Sequence, residues 1–383
     1  MNYDVIVIGA GFAGATVAER LASDGRKVLV LDKRNHVGGN AYDYRQEGIL
    51  IHKYGPHIFH TASKEVYEYL SQFTQWVPYE HKVLGHIKSK LVPIPFNFKS
   101  IDECFATDKA QRLKRKLKDT FGDTKKVPIM DLLQVKDPDL KELANFVFEN
   151  VFKHYTMKQW GLAAEEIDSG VTARVPVRLS YKEGYFDDEY QYMPKDGYSA
   201  LFEKMLSHEN IDIALKCNAK KVIRLDSGKI YFMDKEFKGE VIYTGALDEL
   251  FDYKMGELPY RSLDLVLERQ EGTYQEAVTE NYPGPASRYP YTRITEYKLF
   301  EEDYPEDYTY IHIEYPLAYD KDASKGNIPY YPIFTEENQK LYEKYVALAD
   351  DYLNLTLLGR LAEYKYYNMD MIILKALELA KKM

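Results

Sequence analysis

The stretch VIVIGAGFAGATVAERL, residues 5–21, constrains the fold of this chain more than any other. A β-branched run, Val5–Ile8, leads into glycines at Gly9, Gly11 and Gly14, the spacing G-x-G-x-x-G. The run reads as a buried parallel strand, and residues 11–23 as the helix after it. A second strand, residues 27–31, ends in Asp32. Gly9 allows the tight turn, Gly11 lets a pyrophosphate approach the backbone, and Gly14 lets helix and strand pack closely. The helix start offers free N–H groups to phosphates. Asp32 can accept hydrogen bonds from a ribose diol. The chain thus opens as a βαβ dinucleotide-binding unit.

A glycine pair, Gly38–Gly39, follows Asp32 in the stretch LDKRNHVGGN. A nicotinamide dehydrogenase needs nothing special there. The longer pattern runs through Ala18, Leu21, Gly25, Val28, Val30, Asp32, Gly38 and Gly39. It resembles the FAD-binding fingerprint of the glutathione-reductase-like flavoproteins, in the amine oxidase and desaturase branch. The two glycines let the chain cross close to a dinucleotide where a side chain would clash. VIYTG (241–245) is similar to the second strand-to-glycine crossing of such proteins, and 359–373 to their C-terminal return beneath the flavin.

The bulk numbers fit an enzyme of this kind. At 383 residues the chain exceeds one comfortable core, so subdomains are expected. Apolar residues make up 45% and charged residues 29%, as in soluble globular proteins. The formal charge of −9, without a long basic run, argues against a nucleic-acid partner. Two cysteines, Cys104 and Cys217, fit no metal pattern and no disulfide framework, which suits a reducing cytoplasm. No apolar run is long enough to span a bilayer, and no signal peptide is expected. The 35 tyrosines suit half-buried strands or a polar-ligand cleft lined with hydroxyls.

Along the chain, 62–73 has helical spacing and 82–95 reads as a hairpin or loop. Residues 100–155 are helical and charged; 161–178 lack periodicity and read as a mobile loop. Helix 197–207, strands from 211 to 244, tyrosine-rich strands over 260–315, helix 336–352, a strand at LTLLGR and a last helix complete the pattern. The fold class is α/β: a Rossmann-like FAD-binding domain with a helical insertion domain and an antiparallel β-sheet domain. The expected division is 1–75, 196–250 and 354–383 for the first. A mostly helical substrate domain takes 76–180, and the antiparallel sheet 181–195 and 251–353.

Six stretches in order, KYGPHIFHT (53–61), YTMKQWG (155–161), ARVPVR (173–178), YTRITEYK (291–298), YYPI (330–333) and GRLAEYKYY (359–367), resemble the bacterial UDP-galactopyranose mutases. The resemblance runs from about residue 3 to 380 and is weak around 100–150 and 270–290. It implies a non-redox use of FAD. In that family N5 of reduced FAD attacks the anomeric carbon and UDP leaves. The adduct opens as an iminium and the sugar recloses through another hydroxyl, so a six-membered ring becomes a five-membered one. The resemblance implies UDP-galactose or a related nucleotide-sugar as substrate, galactofuranose for surface polysaccharide as the purpose, and leaves room for a homodimer.

The same resemblance implies the site residues. Arg174 matches the family's mobile-loop arginine and Arg293 its fixed one; two guanidiniums would offset the charge on the departing diphosphate. His60 matches a histidine facing the substrate. On the substrate side stand His81, Phe152, Tyr155, Trp160, Tyr185, Arg261, Asn281, Tyr331 and Tyr366, with Tyr155 and Trp160 at the uridine and Tyr185, Tyr331 and Tyr366 at the diphosphate. On the cofactor side stand Gly9, Gly11, Phe12, Ala13, Gly14, Asp32, Lys33, Arg34, Gly38, Gly39 and Asn40. His57, Ile58, Arg360, Asn368, Met369, Asp370, Met371, Ile372 and Ile373 join them. No metal site is expected, because no His or Cys pairs at ligand spacing.

The chain also departs from the family pattern. Pro56 precedes His57 where a small residue is usual, His154 replaces a glycine, Met157 replaces Glu or Ala, and Lys195 is unusual beside the nucleotide. Asn368 stands where the family has Asp, which removes a negative charge near the flavin. YPGPASR (282–288) is an insertion beside Asn281. These departures leave open UDP-N-acetylgalactosamine, UDP-arabinose and dTDP-fucose as substrates, though His60 favours plain galactose over N-acetyl sugars. An amine-oxidase-like FAD oxidoreductase and a catalytically silent nucleotide-sugar-binding protein are the alternatives.

Overall fold

The computed structural model describes residues 3–161 and 176–383. Of the expected loop 161–178, residues 162–175 lie outside the described part, and Arg174 with them.

Val5–Ile8 and Val28–Leu31 are fully buried strands, parallel and in register from Val5↔Val28 to Ile8↔Leu31. They sit at the middle of a five-stranded parallel sheet. Its order is Ile211–Ala214, Val28–Leu31, Val5–Ile8, Glu240–Tyr243, Leu355–Leu357. Alternate side chains serve opposite faces. Val5, Val7, Val28 and Val30 enter a core with helices Phe12–Ser23, Gly197–Met205 and Met369–Ala380. Ile6, Ile8, Leu29 and Leu31 enter another, with helix Glu336–Ala349 and strands Ile223–Asp226 and Lys229–Phe232. Burial on both faces explains why these strands read as unbroken apolar runs.

A seven-stranded sheet lies beyond it, in the order Tyr331–Pro332, Tyr260–Glu271, Tyr308–Ala318, Arg293–Glu296, Thr279–Asn281, Val83–Ile87, Lys90–Ile94. Neighbours are antiparallel except Thr279–Asn281 with Val83–Gly85. The hairpin Val83–Ile94 comes from within the 76–180 span, yet it is the edge of this sheet. Its Val83, Ile87, Val92 and Ile94 share a core with the helices after it. Those helices end in one continuous rod: Pro138–Val147, a π-helical turn Phe148–Lys153, and His154–Trp160. The π-turn inserts one residue. It therefore rotates helix His154–Trp160 away from the face set by Leu140, Leu143, Ala144 and Val147. A smaller sheet, Phe59–Thr61, Tyr190–Pro194 and Trp76–Pro78, carries His60.

Two hairpin strands, Asp43–Gln46 and Ile49–His52, are absent from the sequence-based expectation. Their signal is the Glu47–Gly48 turn, both residues at positive φ, ahead of the buried run Ile49–Ile51.

Candidate functional site

The carboxyl edge of the parallel sheet opens into a cavity of about 590 Å³. Gly9, Gly11, Phe12, Ala13, Asp32, Lys33, Arg34, Gly38, Gly39, Asn40, His57, Arg360, Asn368, Met369 and Ile372 line it. Two close approaches show why its rim is glycine. A Cβ on Gly14 would sit 1.9 Å from the Gly9 carbonyl oxygen. A Cβ on Gly39, at φ +56°, would sit 2.9 Å from Gly11 Cα. The glycine pair is therefore pressed against the glycine loop, with Gly38 N–H donating to the Ala10 carbonyl at 2.8 Å. The Asp32 carboxylate accepts from Ala10 N–H and Arg34 N–H, both at 2.8 Å, and lines the cavity. Gly11 gives helix Phe12–Ser23 no side-chain cap, so its first amides are available to an anion. Asn368, likewise, makes no side-chain cap at helix Met369–Ala380. An open helix start after Gly11, the Asp32 carboxylate and a close-packed glycine rim fit a dinucleotide such as FAD.

Several expected cofactor residues serve the scaffold instead. Gly14 packs helix on strand as above. Ile373 is fully buried in the core, and Met371 points outward, 49% exposed. Asp370 accepts from Thr61 Oγ1 at 3.0 Å, tying the helix start to the strand that carries His60. Ile58 packs half-buried against the same core. Thr244 and Gly245, from the strand-to-glycine crossing VIYTG, also line the cavity, as do Tyr330 and Val222, the last of which the sequence reading passed over.

Arg360 joins the cavity to a second cluster. It lines the cavity, and its guanidinium lies 4.8 Å from the ring centre of Tyr366 and 5.5 Å from that of Tyr331. Tyr331 and Tyr366 stack at 6.0 Å, and Trp160 lies 6.1 Å from Tyr331. Burial pushes the Tyr331 hydroxyl up to about 12, with Tyr366 and Glu314 adding to it, so it remains a proton donor at neutral pH. Tyr155 is raised chiefly by burial, and it feels Arg293 and Tyr331.

Arg293 is fixed from the sheet. Asn281, Arg293 and Glu314 stand opposite one another on three neighbouring strands, so their side chains share a face. Arg293 Nε donates to Glu314 Oε2 at 2.7 Å. The Glu314 side chain is only 3% exposed, whereas that of Arg293 is 25% exposed. Burial opposes the guanidinium charge, but Glu314 outweighs it and holds Arg293 protonated. Glu314 is a site residue that the sequence reading missed.

His57 and His81 are neutral donors and acceptors. Burial first, then His52, pushes His57 down to about 3; Arg360 and Arg293 act in the same direction. Its Nδ1–H donates to the Gly55 carbonyl at 2.9 Å, which leaves Nε2 a bare acceptor. Burial and Arg293 push His81 down to about 3 as well. His60 stacks on Phe186 at 3.7 Å and its Nδ1 pairs with Asp188 at 2.9 Å. Tyr185 N–H donates to the His81 carbonyl at 2.7 Å, placing Tyr185 in the same group.

Two expected substrate residues face elsewhere. Phe152 is 1% exposed within the helical core, because the π-turn leaves it on the packed face. Arg261 donates to the carbonyls of Gln159 (2.9 Å) and Lys158 (3.1 Å), where a cation complements the end of helix His154–Trp160. Among the described residues no His, Cys, Asp and Glu group could hold a metal ion, and no helix is long and apolar enough to cross a membrane.

Known proteins share this sequence and fold. The family model described as UDP-galactopyranose mutase matches residues 150–366, and one described as an NAD(P)-binding Rossmann-like domain matches 7–73. A probable UDP-galactopyranose mutase of Klebsiella pneumoniae is 35% identical over 381 residues, covering 99% of this chain and 94% of that protein. A dTDP-fucopyranose mutase of Escherichia coli is also 35% identical, covering 98% of this chain and 97% of that protein. The crystal structure of a reduced UDP-galactopyranose mutase superposes with a TM-score of 0.71 at 15% identity, covering 100% of this chain and 93% of that one.

Proposed function

Because the chain belongs to the UDP-galactopyranose mutase family, an FAD-dependent isomerase family, we propose that it interconverts UDP-galactopyranose and UDP-galactofuranose without net oxidation. Reduced FAD, when bound there, would supply the nucleophile for the anomeric carbon as UDP departs. The chain's own residues do the rest. The amides at Gly11 and the Asp32 carboxylate hold the dinucleotide. His57, neutral and lining the cavity, offers Nε2 as an acceptor without adding positive charge. Arg293 meets the departing diphosphate from a fixed position, and Tyr185, Tyr331 and Tyr366 give it hydroxyl donors. Arg174 is assigned the second guanidinium. Trp160 beside Tyr331 provides a ring for the uracil.

One observation carries this reading: Arg293, locked by Glu314, lies within electrostatic reach of Tyr155, Tyr331 and His57, and His57 itself lines the dinucleotide cavity. An amine oxidase has no use for a fixed guanidinium there, since its leaving group carries no diphosphate. The equally similar dTDP-fucopyranose mutase makes the sugar the point to test. Chromatography of UDP-galactose, dTDP-fucose and UDP-N-acetylgalactosamine, each incubated with dithionite-reduced enzyme, is expected to show contraction fastest with UDP-galactose. Faster turnover of another sugar would reassign the substrate, and no turnover of any would overturn the proposal. The product would serve surface polysaccharide synthesis.

A further inference from the structure

Lys158 belongs to the motif YTMKQWG, and the mechanism above gives it no role. Its Nζ donates to three backbone carbonyls, Tyr282 at 2.7 Å, Tyr291 at 2.8 Å and Tyr289 at 3.0 Å. All three belong to the segment that connects strand Thr279–Asn281 to strand Arg293–Glu296. Asn281 precedes that segment and Arg293 ends it. The rings of Tyr282, Tyr289 and Tyr291 pack on one another around the ammonium, with centroids 4.8 to 5.9 Å apart. On its own helix Lys158 sits between Tyr155 and Trp160, and Arg261 holds the carbonyls of Lys158 and Gln159 from the other side. A compact ammonium with three rotatable donors suits three converging carbonyls better than a planar guanidinium would.

We propose that Lys158 is a positioning residue for the nucleotide-sugar. It sets Arg293, at the diphosphate, and Asn281 beside it at a fixed distance from Tyr155 and Trp160, at the uridine. The inserted segment YPGPASR, anchored at its start by Tyr282 stacked on His86 at 4.2 Å, is in this view also strung on the ammonium. The inference rests on the substrate site assigned above.

The clamp is pH-sensitive. Burial pushes Lys158 down to about 8. The titratable and charged groups around it are Tyr155 on its own helix, Tyr282, Arg288, Tyr289 and Tyr291 on the segment, the His86–Glu280 pair behind Tyr282, and Arg261 on strand Tyr260–Glu271. Strand Tyr308–Ala318 adds Tyr315 and Glu314, the latter paired with Arg293. Among the described residues no carboxylate pairs with Lys158. As pH rises through its pKa the side chain loses its charge and keeps two N–H donors for three carbonyls.

The test compares wild-type and Lys158→Met holoenzyme by UDP titration at about pH 7 and about pH 9, with FAD content read from flavin absorbance. Wild type is expected to bind UDP about tenfold more weakly at the higher pH, the equivalent of one lost hydrogen bond. Lys158→Met is expected to keep full FAD, to bind UDP about tenfold more weakly at pH 7, and to lose the pH dependence. Unchanged UDP affinity in the variant, equal loss of FAD and UDP, or flat wild-type binding across the two pH values would each overturn the proposal. The wild-type arm stands even if the variant fails to fold. A wild type that holds FAD but binds no UDP at pH 7 would overturn the substrate site itself.

Discussion

Arg293 and Glu314 allow stability and catalysis to be separated. Arg293→Ala leaves the Glu314 carboxylate, 3% exposed, without its partner at 2.7 Å. Breaking a buried pair this way costs about 3–5 kcal/mol. Arg293 is a quarter exposed, so the lower end, about 3 kcal/mol, applies. A chain of 383 residues has an unfolding entropy of roughly 0.8 kcal/mol/K, so the melting temperature should fall by about 4 °C. Turnover should fall far more, by about 10²–10³-fold, because a fixed donor to the transition state is gone. In Arg293→Met/Glu314→Gln no charge is stranded, and most of the roughly 4 °C should return while turnover stays low. The assays are thermal unfolding followed by flavin fluorescence and chromatographic turnover with reduced enzyme. Recovery of turnover along with stability would show that Arg293 only supports the fold, and the mechanism assigned to it would be wrong.

Three further outcomes are expected. Trp160→Ala should weaken UDP binding by about 10–100-fold through loss of a stacking surface and leave FAD bound; equal loss of both would make Trp160 structural. Gly39→Ala should lower the FAD content of purified protein, since its Cβ would meet Gly11 Cα at 2.9 Å. Gly48→Ala, also at positive φ but with open space around it, should retain FAD, and equal behaviour would refute the crowding argument. Burial holds His52 at about 3 and His312 at about 4, below their unfolded value near 6.5. Depressed histidines bind fewer protons in the folded state, so stability is full above about pH 6.5 and falls as pH drops toward about 4. Fully buried His52 alone costs about 1.4 kcal/mol per unit there, and urea midpoints that stay level from about pH 7 to about pH 5 would contradict this.

Local chemistry was legible where one residue type has one cause. Gly14 and Gly39 could be read from sequence because the absence of a Cβ is itself the signal. Val5–Ile8 and Val28–Leu31 could be read because burial on both faces leaves no polar position. Glu314 could not. Its strand, YTYIHIEYPLA, reads as a strand, but the partner at Arg293 depends on the register of two consecutive strands across the connection 297–307, which the sequence does not set. Phe152 and Arg261 failed for the same kind of reason. A single π-turn decides whether Phe152 faces the core or the cleft, and no residue in FENVFK announces it. Arg261 finds a helix end more than a hundred residues away in sequence. A guanidinium reads identically whether it meets carbonyls or a diphosphate. Asn368 heads its helix without a side-chain cap, so the departure from Asp that stood out in sequence leaves the fold intact.

The central claim is that the flavin acts as a nucleophile and is not consumed as a reductant. The enzyme should be reduced once under anaerobic conditions, freed of reductant and supplied with UDP-galactose, while flavin absorbance and product are followed together. The account predicts many furanose products per flavin with the spectrum still that of the reduced form. One product or fewer per flavin, with reoxidation in step, would contradict it.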